Sequence, residues 1–497
     1  MNKFLLILTS AILLFSCKTN SNSDTEKTLN SIVYSMDEIA KLILENPEIN
    51  SISIGVYKDD KTYTNYYGEV DKGKDNKAND NSIFEIASVT KTFTAYITAQ
   101  AVLDGKLSLD DDIRKYLEGS YDNLELDRRP IIIKDILTHT TGIKRELYSK
   151  TLSKMFSIDA TERERKAISE YDKTDFIEDL NNYNLEIIPG KEFDYSGFVV
   201  PEILAMILEK TYQKLYVELL EEFILEKAKM SNTSMHISDD DKKYVLNGYT
   251  NNNQIVKPLQ MPLTGAGGGL KSTVPDMLKY IGFLLKGNNP VVKEMRKPLF
   301  YDEKEGDEYG YFWMVDGDDL MMHNGGTGGS VNWLILLPKI NSGFTVSFNY
   351  NGNNANDLIN NAASLLITDL INYPTKNAYY LIRNYIHKNP DNWIEKYQRL
   401  KREHSKEYNF DDGSMLNDLG YELLRLNKTK EAIQVFQLLV SEFPNSANAY
   451  DSLGEGYFLN KQYNLSLANY KKSLEFNPEN KNGIEMIQKI EEIKNNE

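Results

Sequence analysis

A chain of 497 residues is longer than one compact core can organise, and length alone predicts roughly three domains. With 41% hydrophobic and 26% charged residues, its composition is globular rather than disordered or fibrous. A net charge of −16 argues against a nucleic-acid backbone or an anionic lipid surface as partner, and five scattered histidines with one cysteine offer no metal-ligand spacing, so no metal and no cofactor is expected.

The chain starts MNKFLLILTSAILLFSCKTNSNSD: one lysine, an apolar run from Phe4 to Phe15, then Ser16-Cys17 and the polar tract Lys18 to Asp24. That run is too short to span a bilayer comfortably and has the layout of a secretory signal. A small residue before the cysteine and a polar tract after it resemble a bacterial lipoprotein signal. The resemblance implies lipidation of Cys17 and a lipid-anchored lipoprotein of the cell envelope, at the outer membrane and facing the periplasm. The plainer alternative is an ordinary signal peptide with an incidental cysteine. Residues 1–17 are therefore expected to be signal and 18–30 a polar tether.

From Ile49 the stretch INSISIGVYKDD alternates apolar and polar residues, which predicts a strand, and KTYTNYYGEVD can return beside it after an Asp59-Asp60 turn. Ile83 to Leu117 reads mainly as helix. At its start, IFEIASVTK places Ser88 and Lys91 three residues apart, one turn on the same helix face, where an amine can reach a hydroxyl. A serine needs activation to act as a nucleophile, and a desolvated lysine that is neutral at working pH is a competent base. A helix start adds an unpaired N–H and a favourable dipole for an oxyanion. Further on come DGKLSLDDDIRKYL and ILTHTTGI, the latter with His139, expected to buttress a loop. Tyr195 follows the Pro189-Gly190 turn in IIPGKEFDYSGF. In GAGGGLKSTVPDMLKY, Thr273-x-x-Asp276 with Pro275 marks a helix start. MMHNGGTGGSVNWLILLP then carries His323-Asn324-Gly325-Gly326 into a strand, and GFTVSFNY is a second strand after the turn INSG. Asn356 to Ile371 reads as a closing helix before Pro374. Strands at both ends with helices between predict an α+β layout in which the first and last strands share one sheet.

In order and spacing, the segments around Ser88, Tyr195 and His323 resemble the serine β-lactamase and penicillin-binding protein superfamily. The closest branch holds class C β-lactamases, D-Ala-D-Ala carboxypeptidases and related esterases. DGKLSLDD, ILTHTTGI and GGLKSTVPD match further blocks of that family, so six ordered blocks over roughly residues 40–372 carry the resemblance. It implies a β-lactamase/transpeptidase-like antiparallel sheet flanked by helices, with a helical subdomain, over 31–375. It further implies Ser88 as acylated nucleophile, Lys91 as its base and Tyr195 as proton relay. Gly326 N–H would join that of Ser88 in holding the oxyanion, and His323, Asn324 and Gly325 would border the substrate. The glycines Gly325, Gly326, Gly328 and Gly329 suit a place where substrate comes close to backbone. One departure stands out: the family's Tyr-x-Asn element ends here in Gly197.

Beyond residue 375 the period changes. At a constant offset of 34, Leu419 matches Leu453, Gly420 matches Gly454, Ala432 matches Ser466, Phe436 matches Tyr470 and Pro444 matches Pro478. A repeat of that length with those residue types resembles the tetratricopeptide family, which implies an all-α repeat domain over 376–497 and a groove for a peptide or protein partner. Two functions follow. One is a cell-envelope serine hydrolase that forms a Ser88 acyl-enzyme on a small-molecule or peptide substrate: an amide, a β-lactam or an ester. The other is an inactive sensor whose repeats recruit a partner.

Overall fold

The alternating run after Ile49 forms strand β1 (Ser51–Lys58), which turns back into β2 (Lys61–Gly68). Asp59 and Asp60 both take positive φ, 49° and 63°, the two-residue turn whose twist matches that of paired strands. A computed structural model of the chain describes residues 23–495 other than 146, 148, 156–159, 257–261, 264, 288, 305, 411 and 412. The expected signal with Cys17, and positions 18–22 of the expected tether, lie outside the described residues. Helix α1 (Ser23–Ile43) begins inside that expected tether, so residues 23–30 are helical. Its buried positions Ile32, Met36, Ile39 and Ile43 follow a helical period that extends the helix back from the folded part.

Six more strands follow late in the chain: β3 (Phe300–Asp302), β4 (Asp307–Gly310), β5 (Trp313–Asp316), β6 (Leu320–Gly326), β7 (Val331–Leu337) and β8 (Ser342–Phe348). They build one antiparallel eight-stranded sheet in the order β2-β1-β8-β7-β6-β5-β4-β3, so the first and last strands of the chain pair, Ile54 opposite Val346. Both faces are covered. Gly55 in β1 and Gly343 in β8 let helix α5 (Val274–Leu285) come close: a Cβ on Gly55 would lie 2.5 Å from Val274 Cγ1, and one on Gly343 2.7 Å from Ile281 Cγ2. On the opposite face, Trp333 of β7 donates from Nε1 to Asn360 of the closing helix α6 (Ala355–Ile371) at 2.9 Å. Thr273 caps α5 by accepting from Asp276 N, with Pro275 in the first turn, as its sequence predicts.

The long helix expected over Ile83–Leu117 is shorter. Phe84–Glu85 is a strand paired with Lys271–Ser272, Ala87–Val89 is a 3-10 turn, and α2 spans Thr90–Leu103. Gly105 at φ +67° ends the helical path. Eleven of the 14 residues of α2 are buried, so no single apolar stripe marks its ends in the sequence. Two further helices bear on the site, the five-residue α3 (Ile133–Leu137) and α4 (Val199–Tyr212).

The chain divides into two compact units: Ile39–Leu365, and Leu366–Glu497 together with residues 23–38. Most of the second unit is helical. Thr429–Glu442 and Tyr463–Phe476 start and end 34 residues apart, and each closes on the preceding helix at a glycine. A Cβ on Gly420 would lie 2.2 Å from Phe436 Cε1, and one on Gly454 3.1 Å from Tyr470 Cδ2. The aligned glycine and aromatic of each unit are thus packing partners, which is why both positions recur at that offset.

Candidate active site

Ser88 sits on the 3-10 turn that runs directly into α2. The residue before it, Ala87, holds φ +47°, a conformation that L residues other than Asn, Asp and His seldom adopt. The turn is clamped to the glycine-rich segment 265–270: Ile86 N donates to Leu270 O at 3.1 Å, and Leu270 N to Thr90 Oγ1 at 3.2 Å. Ser88 is left half-buried.

Lys91 lies one turn further on and is fully buried. Its Nζ is 3.1 Å from Ser88 Oγ, 2.7 Å from Gly197 O and 2.6 Å from Gly267 O. Burial penalises the ammonium form and brings its pKa down to about 7, although the carboxyl of Glu202 works the other way. A neutral amine has two N–H bonds and one lone pair. With two carbonyl oxygens taking the N–H bonds, the lone pair is directed at the serine hydroxyl. Gly197, where the family carries asparagine, thus meets the lysine through its backbone.

That cradle depends on close backbone packing. A Cβ on Gly267 would lie 2.5 Å from Gly197 O and 3.2 Å from Phe198 Cα, so even a methyl group forces the two carbonyls apart. Gly267→Ala is expected to slow acylation of Ser88 by about 10-fold or more, at a cost of about 1–3 kcal/mol in stability. Labelling kinetics and a thermal melt check both; an unchanged acylation rate would detach the Gly267 carbonyl from function.

Tyr195 lies on the irregular segment between the Gly190 turn and α4, with its ring centroid 5.1 Å from Lys91 Nζ. Burial pushes the phenol up to about 12, partly offset by a hydrogen bond with the Ser88 side chain and by the charge of Arg145. The hydroxyl therefore remains a proton donor at any ordinary pH. One hydroxyl, one amine and one phenol share a single site.

The strand beside them is β6, which lies inside the sheet between β7 and β5. His323 pairs with Leu334 across the ladder, which pairs with Thr345, and that residue with Gly55; all four face the α5 side. His323 is buried, and burial together with the Lys91 charge drops it to about 3, so it is a neutral imidazole whose Nδ1 lies 2.6 Å from Asn324 O. Pleating puts Asn324 with its partner Trp333 on the opposite face, away from His323. Gly325 returns to the near face, where a Cβ would lie 2.4 Å from Ile86 O. Gly329 likewise faces the backbone of Gly248, where a Cβ would lie 2.8 Å from Gly248 Cα. These two glycines are therefore required by the protein's own backbone rather than by an incoming substrate. Gly326, exposed at the strand end, has no neighbour closer than 3.7 Å to a built Cβ and remains open.

Sequence reasoning missed Glu202 on α4. It is 2% exposed, and burial raises its carboxyl to about 8, held in check by backbone N–H groups of Ala266 and Gly267 and by the Lys91 charge. Burial thus drives both members of this buried pair toward their uncharged forms. Among the described residues, no group of three His, Cys, Asp or Glu side chains is placed to hold a metal ion.

Residues 37–369 match the protein-family model Beta-lactamase. The protein named flp of Staphylococcus aureus (strain N315) is 24% identical over 348 residues, covering 68% of this chain and 66% of the relative. The chain thus spans about two thirds of that curated relative's length. A beta-lactamase of Providencia stuartii is 24% identical over 251 residues, half of this chain and 58% of that protein. Among solved structures, the octameric penicillin-binding protein homologue from Pyrococcus abyssi superimposes with a TM-score of 0.55 at 25% identity, covering 74% of this chain and 82% of that one. A beta-lactamase/D-alanine carboxypeptidase from Yersinia pestis gives 0.57 at 20% identity, covering 68% and 98%.

Proposed function

Because the chain belongs to the beta-lactamase family, we propose that it is a serine hydrolase acting through an acyl-enzyme on Ser88. The observation that carries this reading is the position of Lys91 Nζ, bonded to two backbone carbonyls and 3.1 Å from Ser88 Oγ. As the Oγ–carbon bond forms, the hydroxyl proton passes to the Lys91 lone pair. Negative charge on the former carbonyl oxygen is met by the N–H groups of Ser88 and Gly326, at the start of α2 where the helix dipole assists. When the intermediate collapses, the bond to the leaving group breaks and that group takes the Tyr195 proton, which Lys91 then restores. Water entering in place of the leaving group reverses these steps and frees Ser88.

The substrate is an amide, a β-lactam or an ester. With His323 neutral, β6 offers no full positive charge at that position. An inactive sensor is the reading that the absent asparagine at 197 favours, and against it the Gly197 carbonyl supplies a lysine contact in that place. The test is intact-mass detection of an adduct on the full chain, with a fluorophosphonate, penicillins, D-Ala-D-Ala peptides and p-nitrophenyl esters. An adduct with any of them supports the hydrolase. Absence of every adduct, together with no ester hydrolysis, favours the sensor.

We further propose a cell-envelope location through lipidated Cys17, and a tetratricopeptide-type groove for a peptide or protein partner in the second unit. The 34-residue recurrence of glycine-aromatic packing supports the latter. Cys17→Ser is expected to move the protein from the membrane to the soluble fraction on cell fractionation. Unchanged membrane association would contradict the anchor.

A further inference from the structure

Helix α3 ends in a tight hydrogen-bonded cap. Thr140 N donates to Asp135 O at 2.9 Å and His139 N to Ile136 O at 3.3 Å, with His139 at φ +55°. This is a Schellman arrangement, and the left-handed position it requires is one that glycine, then asparagine, occupies at least cost. Histidine, though commoner there than most side chains, still costs more than glycine. A second penalty accompanies it. Nδ1 accepts from Ser196 N at 3.2 Å, which places the ring proton on Nε2, and that buried nitrogen has no hydrogen-bond partner among the described residues.

The contacts of His139 explain why both are retained. Its carbonyl oxygen accepts from Asp194 N at 2.9 Å while its ring accepts from Ser196 N, so one residue grips the backbone on either side of Tyr195. The imidazole also packs on the Tyr195 ring with centroids 4.6 Å apart, and on Phe312 at 5.0 Å. Backbone bonds fix where the tyrosine Cα stands, and the ring contact fixes the plane of the phenol. Burial, with Lys91 and His323 facing it, keeps the imidazole uncharged, so this grip persists through the working pH range.

We propose that His139 is the positioning residue that holds the Tyr195 hydroxyl on the line between Ser88 and the leaving group. This rests on the hydrolase reading above, in which Tyr195 supplies the leaving-group proton. A proton donor out of position hurts a reaction in proportion to how much its leaving group needs the proton. A p-nitrophenolate leaves readily as an anion; an ethoxide does not.

The experiment measures acylation of the full chain by ethyl and p-nitrophenyl esters of the same acid, in the wild type, His139→Gly, Tyr195→Phe and the double variant. His139→Gly suits the left-handed backbone and keeps the cap. It is expected to lose roughly 10²-fold on the ethyl ester and less than about 10-fold on the nitrophenyl ester. Tyr195→Phe should show the same asymmetry, and adding His139→Gly to it should cost nothing further, because both changes remove one function. His139→Asn, which tolerates the backbone conformation and offers an oxygen to Ser196 N, should recover part of the loss. Equal losses on both esters, or losses that add in the double variant, would reduce His139 to a packing residue and overturn the proposal. A wild type that neither ester acylates and that a fluorophosphonate does not label would instead remove the hydrolase reading, and this inference with it.

Discussion

Ser88→Ala is expected to abolish covalent labelling by a fluorophosphonate and to lower p-nitrophenyl ester hydrolysis by on the order of 10⁴-fold, since no covalent intermediate can then form. The fold should be indifferent to the change. Ser88 is half-buried, and Lys91 keeps its bonds to Gly197 O and Gly267 O when the hydroxyl is gone. Loss of one partly exposed hydroxyl in such a place shifts stability by about 0.5–1 kcal/mol, so the melting temperature should barely move. Intact mass after labelling gives the readout. An adduct formed on Ser88→Ala as fast as on the wild type would place the nucleophile elsewhere and remove the basis for every role assigned to Lys91 and Tyr195.

Lys91→Ala carries the second large effect: a loss of acylation of about 10³-fold or more, because the serine proton then has no base. This variant also leaves two carbonyl oxygens without their donor in a buried cradle, at a cost of about 1–3 kcal/mol, so a melt must accompany the kinetics. The wild type provides an independent check through its pH profile. The pKa of Lys91 is lowered from 10.5 to about 7, and in the proposed mechanism the active form is the neutral amine. Raising the pH therefore increases the active fraction, and the acylation rate should climb through about pH 7 and then level off. Two units below that midpoint the neutral fraction is about 1%, so at pH 5 the rate should be roughly 100-fold below its plateau. Tyr195, raised to about 12, does not titrate in this range and places no alkaline limb near neutrality. A rate that keeps rising toward pH 10 would mean that Lys91 is an ordinary ammonium at neutral pH and that burial does not prepare it as the base.

The neighbouring Glu202 bears on that profile. Its carboxyl is buried with Lys91 and raised to about 8, so the pair prefers to be uncharged near neutral pH and the amine stays available. An ionised Glu202 carboxylate would instead raise the Lys91 pKa and shrink the neutral fraction. Glu202 could not be picked out from the sequence. It lies among apolar residues in VVPEILAMIL with nothing in its spacing to mark a site, and only the packing of α4 against segment 265–270 brings it there.

Some features were legible because they are local. The strand alternation at Ile49–Asp60, the Asp59-Asp60 turn, the Thr273 cap and the final pair of strands each follow from side-chain type at short range, and each forms where its residues predict. The helix over Ile83–Leu117 was misread for a local reason as well: buried almost all round, α2 has no polar face to show where it stops. At Asn324 the pleat decides: β6 sends alternate side chains to opposite faces, so His323 and Gly325 share the near one and Asn324 takes the other.

By itself, the order of residues determined which groups would be available: a serine and a lysine one turn apart, a tyrosine after a Pro-Gly turn, a glycine-rich strand end, and a helical unit repeating every 34 residues. Tertiary structure alone decided how the lysine is held and kept from its ordinary charge. Its two acceptors are the carbonyls of Gly197 and Gly267, and the residues on either side of the tyrosine, Asp194 and Ser196, donate to a carbonyl and a ring nitrogen of His139. Every residue carries a carbonyl whatever its side chain, so nothing in the order of amino acids marks the ones that will matter; only folding, by burying some and aiming them, does so.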